Sequence, residues 1–239
     1  MTTKNLISMG VIAVLLGGAA YIVHQQGAVK GAQLNGKAIL PDLNLAEVAS
    51  VQFGDKLKLV AGTNGWQVET YHGYPADQSK LTGNLLKLTE LKVGQVVRGK
   101  DLEGANDLVL RNAKGEELAA LTIGEKHAKW GRGRYVRYQG ETVLVADTLD
   151  GFDGAGEGFV EKKIVDTPYI VFNDIVEGLS EEELGFATGV VAKVTIAGDT
   201  NRTVTVGNKV KDGTERYLKL DNDKWIFKVP AYSVENIGK

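Results

Sequence analysis

The chain has 239 residues, a formal net charge of −2 and no cysteine, which is room for one large domain or two small ones. The near-neutral balance removes any global electrostatic case for nucleic acid. The lack of cysteine excludes disulfides, a thiol nucleophile, a Cys-ligated zinc and a lipoprotein cysteine. His24, His72 and His127 are far apart and form no HExxH-type pair, so neither a metal nor a cofactor is predicted. Thirty glycines against four prolines point to a turn-rich, strand-rich chain.

Residues 6–23, from Leu6 to Val23, are 18 positions without a charge, just long enough to cross a bilayer. Lys4 and the α-amino group precede them and favour an amino-terminus-in orientation. The alternative is a cleaved secretory peptide, since Gly18-Ala19-Ala20 offers small residues at the right place. The run continues through Tyr21, Ile22 and Val23, which favours a retained anchor. Both readings send the rest of the chain across the membrane. Residues 1–24 are thus the anchor, and 25–42, rich in Gly, Ala and Gln, read as a linker.

The body opens with "VASVQFG", "KLKLVAG" and "GWQVETY", three runs of β-type alternation separated by Gly, Asp and Asn turns. Then "YPADQSKLTGNLLKLTEL" changes period. Leu81, Leu85 and Leu88, with Leu86 at the margin, fall on one helical stripe, and Asp77 or Ser79 is the expected N-cap. After a polar stretch come "DLVLRN", "LAALTIG", "RYVRY" and "TVLVAD", with turns at 112–116 and at Gln139-Gly140. "GFDGAGEG" is a loop, and "FVEKKIVD" follows. A helix is predicted around Asn173 to Leu184. "VVAKVTIAG", "RTVTVG", "RYLKL" and "WIFKV" then form a closing meander, with turns at Gly198-Asp199, Asp212-Gly213 and Asp221-Asn222.

One pattern is written twice. "LTIG" ending at Gly124 matches "VTVG" ending at Gly207, Arg134-Tyr135 matches Arg216-Tyr217, and Val143 to Val145 matches Phe227 to Val229. A three-stranded β unit is therefore expected in two copies, the Arg-Tyr strand in the middle of each. Alternation places Val136, Tyr138, Leu218 and Leu220 on the core face. Tyr135, Arg137, Tyr217 and Lys219 take the opposite, open face. Boundaries follow at 43–165 for the first repeat and 166–239 for the shorter second one.

The order "W-x-V", "YPAD" before a leucine-striped helix, "LTIG", "RYVRY", "VLVAD" and "FVEKKIVD" resembles the family catalogued as domain of unknown function 4340. The resemblance runs from about Leu43 onward. It implies a bacterial envelope protein with a single-pass inner-membrane anchor and an extracytoplasmic α+β domain in the periplasm, of a kind often encoded beside ABC-type transporter subunits, some of them related to gliding motility. It implies no catalytic residues. The chain lacks a second "W-x-V…PAD" helix module after "VVAKVTIAG". The expected fold is α+β: mainly antiparallel meanders, one or two amphipathic helices packed on the sheet and a duplicated β unit, after an N-terminal transmembrane helix.

Two clusters could carry chemistry. Asp147, Asp150, Asp153 and Glu157 crowd a glycine-rich loop, but not at the spacing of an EF-hand, and a solvated acidic loop is the expectation. "EKHAKWGRGRYVR" collects cations and aromatics able to meet phosphate or anionic glycan. The candidate contact residues are Trp130, Arg132, Arg134, Tyr135, Arg137, Tyr217 and Lys219. There is no Gly-rich phosphate loop with its lysine, so the chain is not a transporter's ATPase. Two functions stand from this reading. One is a non-enzymatic, membrane-anchored accessory protein contacting an ABC-type permease or related envelope subunits. The other is an extracytoplasmic module for glycan or another anionic ligand.

Overall fold

The computed structural model describes residues 33–127, 132–165, 170–187, 192–196, 202–235 and 237. The apolar run from Leu6 to Val23 and the expected turn at Gly198-Asp199 lie outside them. Among the described residues no helix is long and apolar enough to cross a membrane. Strands dominate, nearly all in antiparallel sheets, with few helices. The chain divides into two compact units between Phe159 and Val160, rather than after residue 165. Phe159 is held in the first unit: its carbonyl accepts the Asp77 N–H at 2.7 Å and its ring lies 6.3 Å from that of Phe152.

In the first unit, β1 (Ser50–Phe53), β2 (Leu57–Gly62), β3 (Gly65–Val68) and β4 (Tyr74–Pro75) form a meander. Helix α1 (Gln78–Glu90) follows, then β5 (Val93–Val96), β6 (Asn106–Arg111), β7 (Glu117–Lys126), β8 (Arg134–Tyr138) and β9 (Glu141–Val145). They make one nine-stranded sheet in the order β4-β3-β2-β1-β6-β7-β8-β9-β5. Alternation sets its core face, with Val51, Leu59, Leu108, Leu121, Val136 and Val143 buried. The two residues of the β8–β9 turn, Gln139 and Gly140, have φ of 51° and 79°, the left-handed pair that a two-residue hairpin requires.

Helix α1 matches its expected stripe: Leu81, Leu85 and Leu88 are buried, and Asp77 caps it by accepting the Lys80 N–H at 3.0 Å. The loop that follows β9 is built against this helix. A methyl group on Gly151 would sit 1.9 Å from Asn84 Oδ1, so any larger residue there requires the Asn84 side chain to move. Phe152 is fully buried, its ring 6.1 Å from Phe53. The expected linker 25–42 is corrected from Leu34 onward. Leu34 and Ile39 are buried, and the backbone pairs with the strand edge: Gly36 N–H to Val93 O at 2.7 Å, Ile39 N–H to Leu91 O at 2.9 Å. Tyr138 adds a bond from its hydroxyl to Ala38 O at 3.3 Å. An edge with unpaired donors and two apolar side chains within reach explains why this stretch docks.

The second unit holds a two-stranded pair, β10 (Lys163–Val165) and β11 (Ile170–Val171), and a five-stranded sheet. The sheet contains β12 (Asp174–Val176), β13 (Ala192–Ile196), β14 (Arg202–Lys209), β15 (Glu215–Leu220) and β16 (Ile226–Pro230), in the order β12-β16-β15-β14-β13. Helix α2 (Glu181–Leu184) lies between β12 and β13 in sequence, and α3 (Ala231–Val234) follows β16. Here the predicted helix from Asn173 to Leu184 is corrected. Its first part is β12, paired with β16, and only its last turn is helical. Gly178, at φ 78°, breaks the run, and a capping box between Ser180 and Glu183 starts α2 afresh.

The register of the two sheets can be compared strand by strand. In the first, Ile123 pairs with Val136 and Lys126 with Arg134, with a break between. In the second, Val206 pairs with Leu218 and Lys209 with Arg216, again with a break between. Val143, Leu144 and Val145 oppose Val136, Tyr135 and Arg134, as Phe227, Lys228 and Val229 oppose Leu218, Tyr217 and Arg216. Outside these, β5 closes onto β9 and β12 onto β16. The common arrangement is thus five strands, β6-β7-β8-β9-β5 and β13-β14-β15-β16-β12, two more than the sequence motif covers.

Burial of the α1 stripe yields a direct test. Leu88→Ala should destabilise the chain by about 2–5 kcal/mol, the cost of truncating a buried leucine. Leu86→Ala, at a half-exposed position on the same helix, should change stability by less than about 0.5 kcal/mol. Equal midpoints in urea unfolding for the two variants would contradict this packing.

Candidate contact face around Tyr135

Tyr135 and Arg137 point away from the core face, as alternation predicts, but the face is not open. Strand β5 pairs with β9, and the next strand in sequence, β6, lies on the far side of β7 and β8. Residues 97–105 must therefore cross one face of the sheet, and they cross this one. Thr142 Oγ1 donates to Lys100 O at 2.7 Å. Lys100 Nζ sits 4.5 Å from the centre of the Tyr135 ring and 2.5 Å from Glu125 Oε1. On its other flank Tyr135 meets His127, ring centres 5.6 Å apart. A methyl group on Gly124 would come 2.8 Å from Leu102 Cδ2, so this glycine, at the register break, lets the crossing segment lie close.

The same construction occurs on the second sheet. There the connection from β12 to β13 carries α2, and Lys219 Nζ lies 4.8 Å from the centre of the Phe186 ring and 2.7 Å from Glu181 Oε1. A methyl group on Gly207 would sit 2.2 Å from Leu184 O. Lys219 is therefore a clamp for α2 rather than a free contact residue. The clamp follows from the crossover, which brings Glu181 over the strand. Tyr217 is half-buried beside it.

Arg134 corrects another expectation. It shares the core-side parity of Val136 and is 7% exposed. Its Nε donates to Gly124 O at 2.7 Å, the bond that Arg216 Nε makes to Gly207 O at 3.3 Å. Its Nη1 donates to Thr148 O at 3.2 Å and forms an ion pair with Asp153. A buried guanidinium needs its donors satisfied, and carbonyls plus one carboxylate do so here. Asp153 and Asp150 also share Lys126, at 2.6 and 2.5 Å. The acidic loop is thus a docking strap, neutralised by cations of the basic stretch. Asp147 accepts the Leu149 N–H at 2.7 Å.

These contacts move protonation. The Lys126 ammonium holds the Asp150 carboxyl below the usual carboxylate range, and the Thr148 hydroxyl adds to it. Asp150 and then Asp153 hold Lys126 above its ordinary value. Glu125 does the same for Lys100.

Of the seven candidates, Arg134 and Lys219 serve the fold, and Tyr135 and Tyr217 are half-buried. Arg132 and Arg137 are exposed and make no ion pair among the described residues. Trp130 lies outside the described residues. Sequence reasoning missed Lys100 and Glu125, and it placed Asp153 in a solvated loop without its arginine; these roles depend on partners 19 to 35 positions away. The parity of Arg134 with Val136 was the available signal for its burial.

This geometry names no reaction. Residues 66–181 match a family model described as a domain of unknown function, DUF4340. It is the family that the motif order resembles. The matched stretch begins in β3, covers Tyr135 and its clamp, and ends at the first residue of α2. No curated protein and no solved structure matches the chain.

Two outcomes follow. Arg134→Met should cost about 2–4 kcal/mol, from lost charged hydrogen bonds and carbonyls of Gly124 and Thr148 left without their donor. Arg137→Ser should stay within about 0.5 kcal/mol; thermal unfolding of both variants separates them. In an NMR titration, Asp150 should also lose its charge at a pH below the usual carboxylate range. A depressed folded value means that its stabilising contribution is in place above the unfolded value, and is lost as pH falls through the folded one.

Proposed function

We propose that the chain is a membrane-anchored, extracytoplasmic accessory protein that acts by contact with other envelope proteins, with an ABC-type transport system as its partner, and that it is not an enzyme. The observation that carries this reading is the uncharged run from Leu6 to Val23, placed ahead of a DUF4340 match. The resemblance to that family implies the anchor and the transporter neighbourhood. The candidate face supports contact rather than chemistry, since Lys100, Lys219 and Arg134 are engaged in holding crossing segments and loops. We also read the two five-stranded arrangements as an internal duplication, supported by the shared register break and the Arg-to-Gly bond at each.

A second reading, an anionic-ligand module, is favoured by one observation. Arg132 and Arg137 are exposed on either side of Tyr135 in sequence and have no ion pair among the described residues. The two readings separate on gentle solubilisation of membranes holding the full chain. The first expects the chain to remain in the membrane fraction after carbonate washing and to bring down permease and ATPase subunits in fixed ratio. A mature chain starting at Tyr21 in the soluble fraction would remove the anchor, and a lone chain whose melting temperature rises with anionic oligosaccharide would favour the second reading.

A further inference from the structure

The two sheets differ at one edge. In the first, β6 is bonded on both sides, to β7 and to β1. In the second, β13 occupies the same place in the order: Val194 opposes Val204 of β14 as Leu108 opposes Leu121 of β7. Yet β13 ends its sheet, and among the described residues no strand pairs with its other side.

The direction of the free backbone groups can be worked out. Thr203 O accepts the Asp221 N–H at 2.9 Å, so Thr203 bonds toward β15. Polar groups of successive residues in a strand point to opposite sides, so Val204 and Val206 bond toward β13. Their partners Val194 and Ala192 then bond inward, and Lys193 and Thr195 point their N–H and C=O groups outward. On β6 the corresponding outward groups are used: Asp107 O accepts from Gly54 N–H at 3.0 Å and Arg111 O from Ala49 N–H at 2.8 Å.

We propose that the outer edge of β13 is a strand-addition site, and that it takes an extended, antiparallel segment of another polypeptide with apolar residues at alternate positions. The occupant is defined by what fills the equivalent place on β6. There β1, Ser50–Phe53, runs antiparallel, with Val51 opposite Leu110 and Phe53 opposite Leu108. An unpaired row of amides and carbonyls recruits such a segment by main-chain bonds, and the alternate apolar positions select it. The inference rests on the contact reading only for the identity of the partner in the cell.

The experiment is amide hydrogen exchange on the full chain, read residue by residue, with a synthetic peptide of residues 48–55 as probe. In dilute protein, Lys193 and Thr195 should exchange fast and Val194 slowly. Millimolar peptide should slow Lys193 and Thr195 by about tenfold or more while Val194 stays as it was. Thr195→Pro removes one outward donor and no inward bond, a change that edge strands accept, and should abolish the slowing. Continued protection of Val194 shows that the variant is folded; if it is not, Lys193→Pro repeats the test at the other outward position. Three results would overturn the proposal: protection of Lys193 and Thr195 in the dilute chain alone, no slowing by peptide, or protection that rises with protein concentration without peptide, which would put a second copy of the chain on this edge. Loss of transporter subunits in co-purification would sink the proposed function and leave this result standing.

Discussion

The pairing of β5 with β9 is the constraint on which the first unit is organised. A strand that precedes a four-stranded meander and bonds to its last member cannot continue into the next strand by a tight turn. Its connection must travel over three strands, and it therefore occupies a face that strand alternation alone would leave to solvent. Residues 97–105 do this over Tyr135, and the chain around α2 does it over Lys219. Backbone crossing a sheet needs room at one point and tethers at others. Gly124 and Gly207 give the room, and the Lys100–Glu125 and Lys219–Glu181 pairs are the tethers.

Charge is spent in the same way. A buried arginine is costly unless each donor is met. Arg134 meets this condition with carbonyls of two different segments and the Asp153 carboxylate, and so fixes the loop after β9 to the sheet. That loop in turn places Gly151 against α1 and Phe152 against Phe53. One side chain thus joins the register break, the acidic loop and the helix-covered core. Exposed pairs such as Lys58–Glu69 lie outside this network and hold little by comparison.

For function, the consequence is a narrowing of the surface on offer. The polar groups that looked available in the sequence are largely internal fastenings, and the matched family carries no assigned activity. Among the described residues, the exposed candidates without an ion pair are Arg132, just before β8, and Arg137 on the crossed face; the outward backbone of β13 is the edge proposed above for strand addition.

The helix over Leu81, Leu85 and Leu88, its Asp77 cap, most strands and the hairpin at Gln139-Gly140 were legible, because each is set by residues within a few positions of one another. So were the two Arg-Tyr strands, each lying between the neighbours that alternation expected, with Val136 and Leu218 buried. Three readings failed for one reason. The linker docks, Asn173 begins a strand region rather than a helix, and Arg134 is buried, each because of a partner remote in sequence: Val93, Lys228 and Asp153. Local pattern by itself determined element type, parity and turn chemistry, through side-chain period and backbone sterics. Only the tertiary structure decided which strand closes onto which, hence which face is crossed and which charges are consumed, since that choice depends on long-range pairing that no short window of sequence contains.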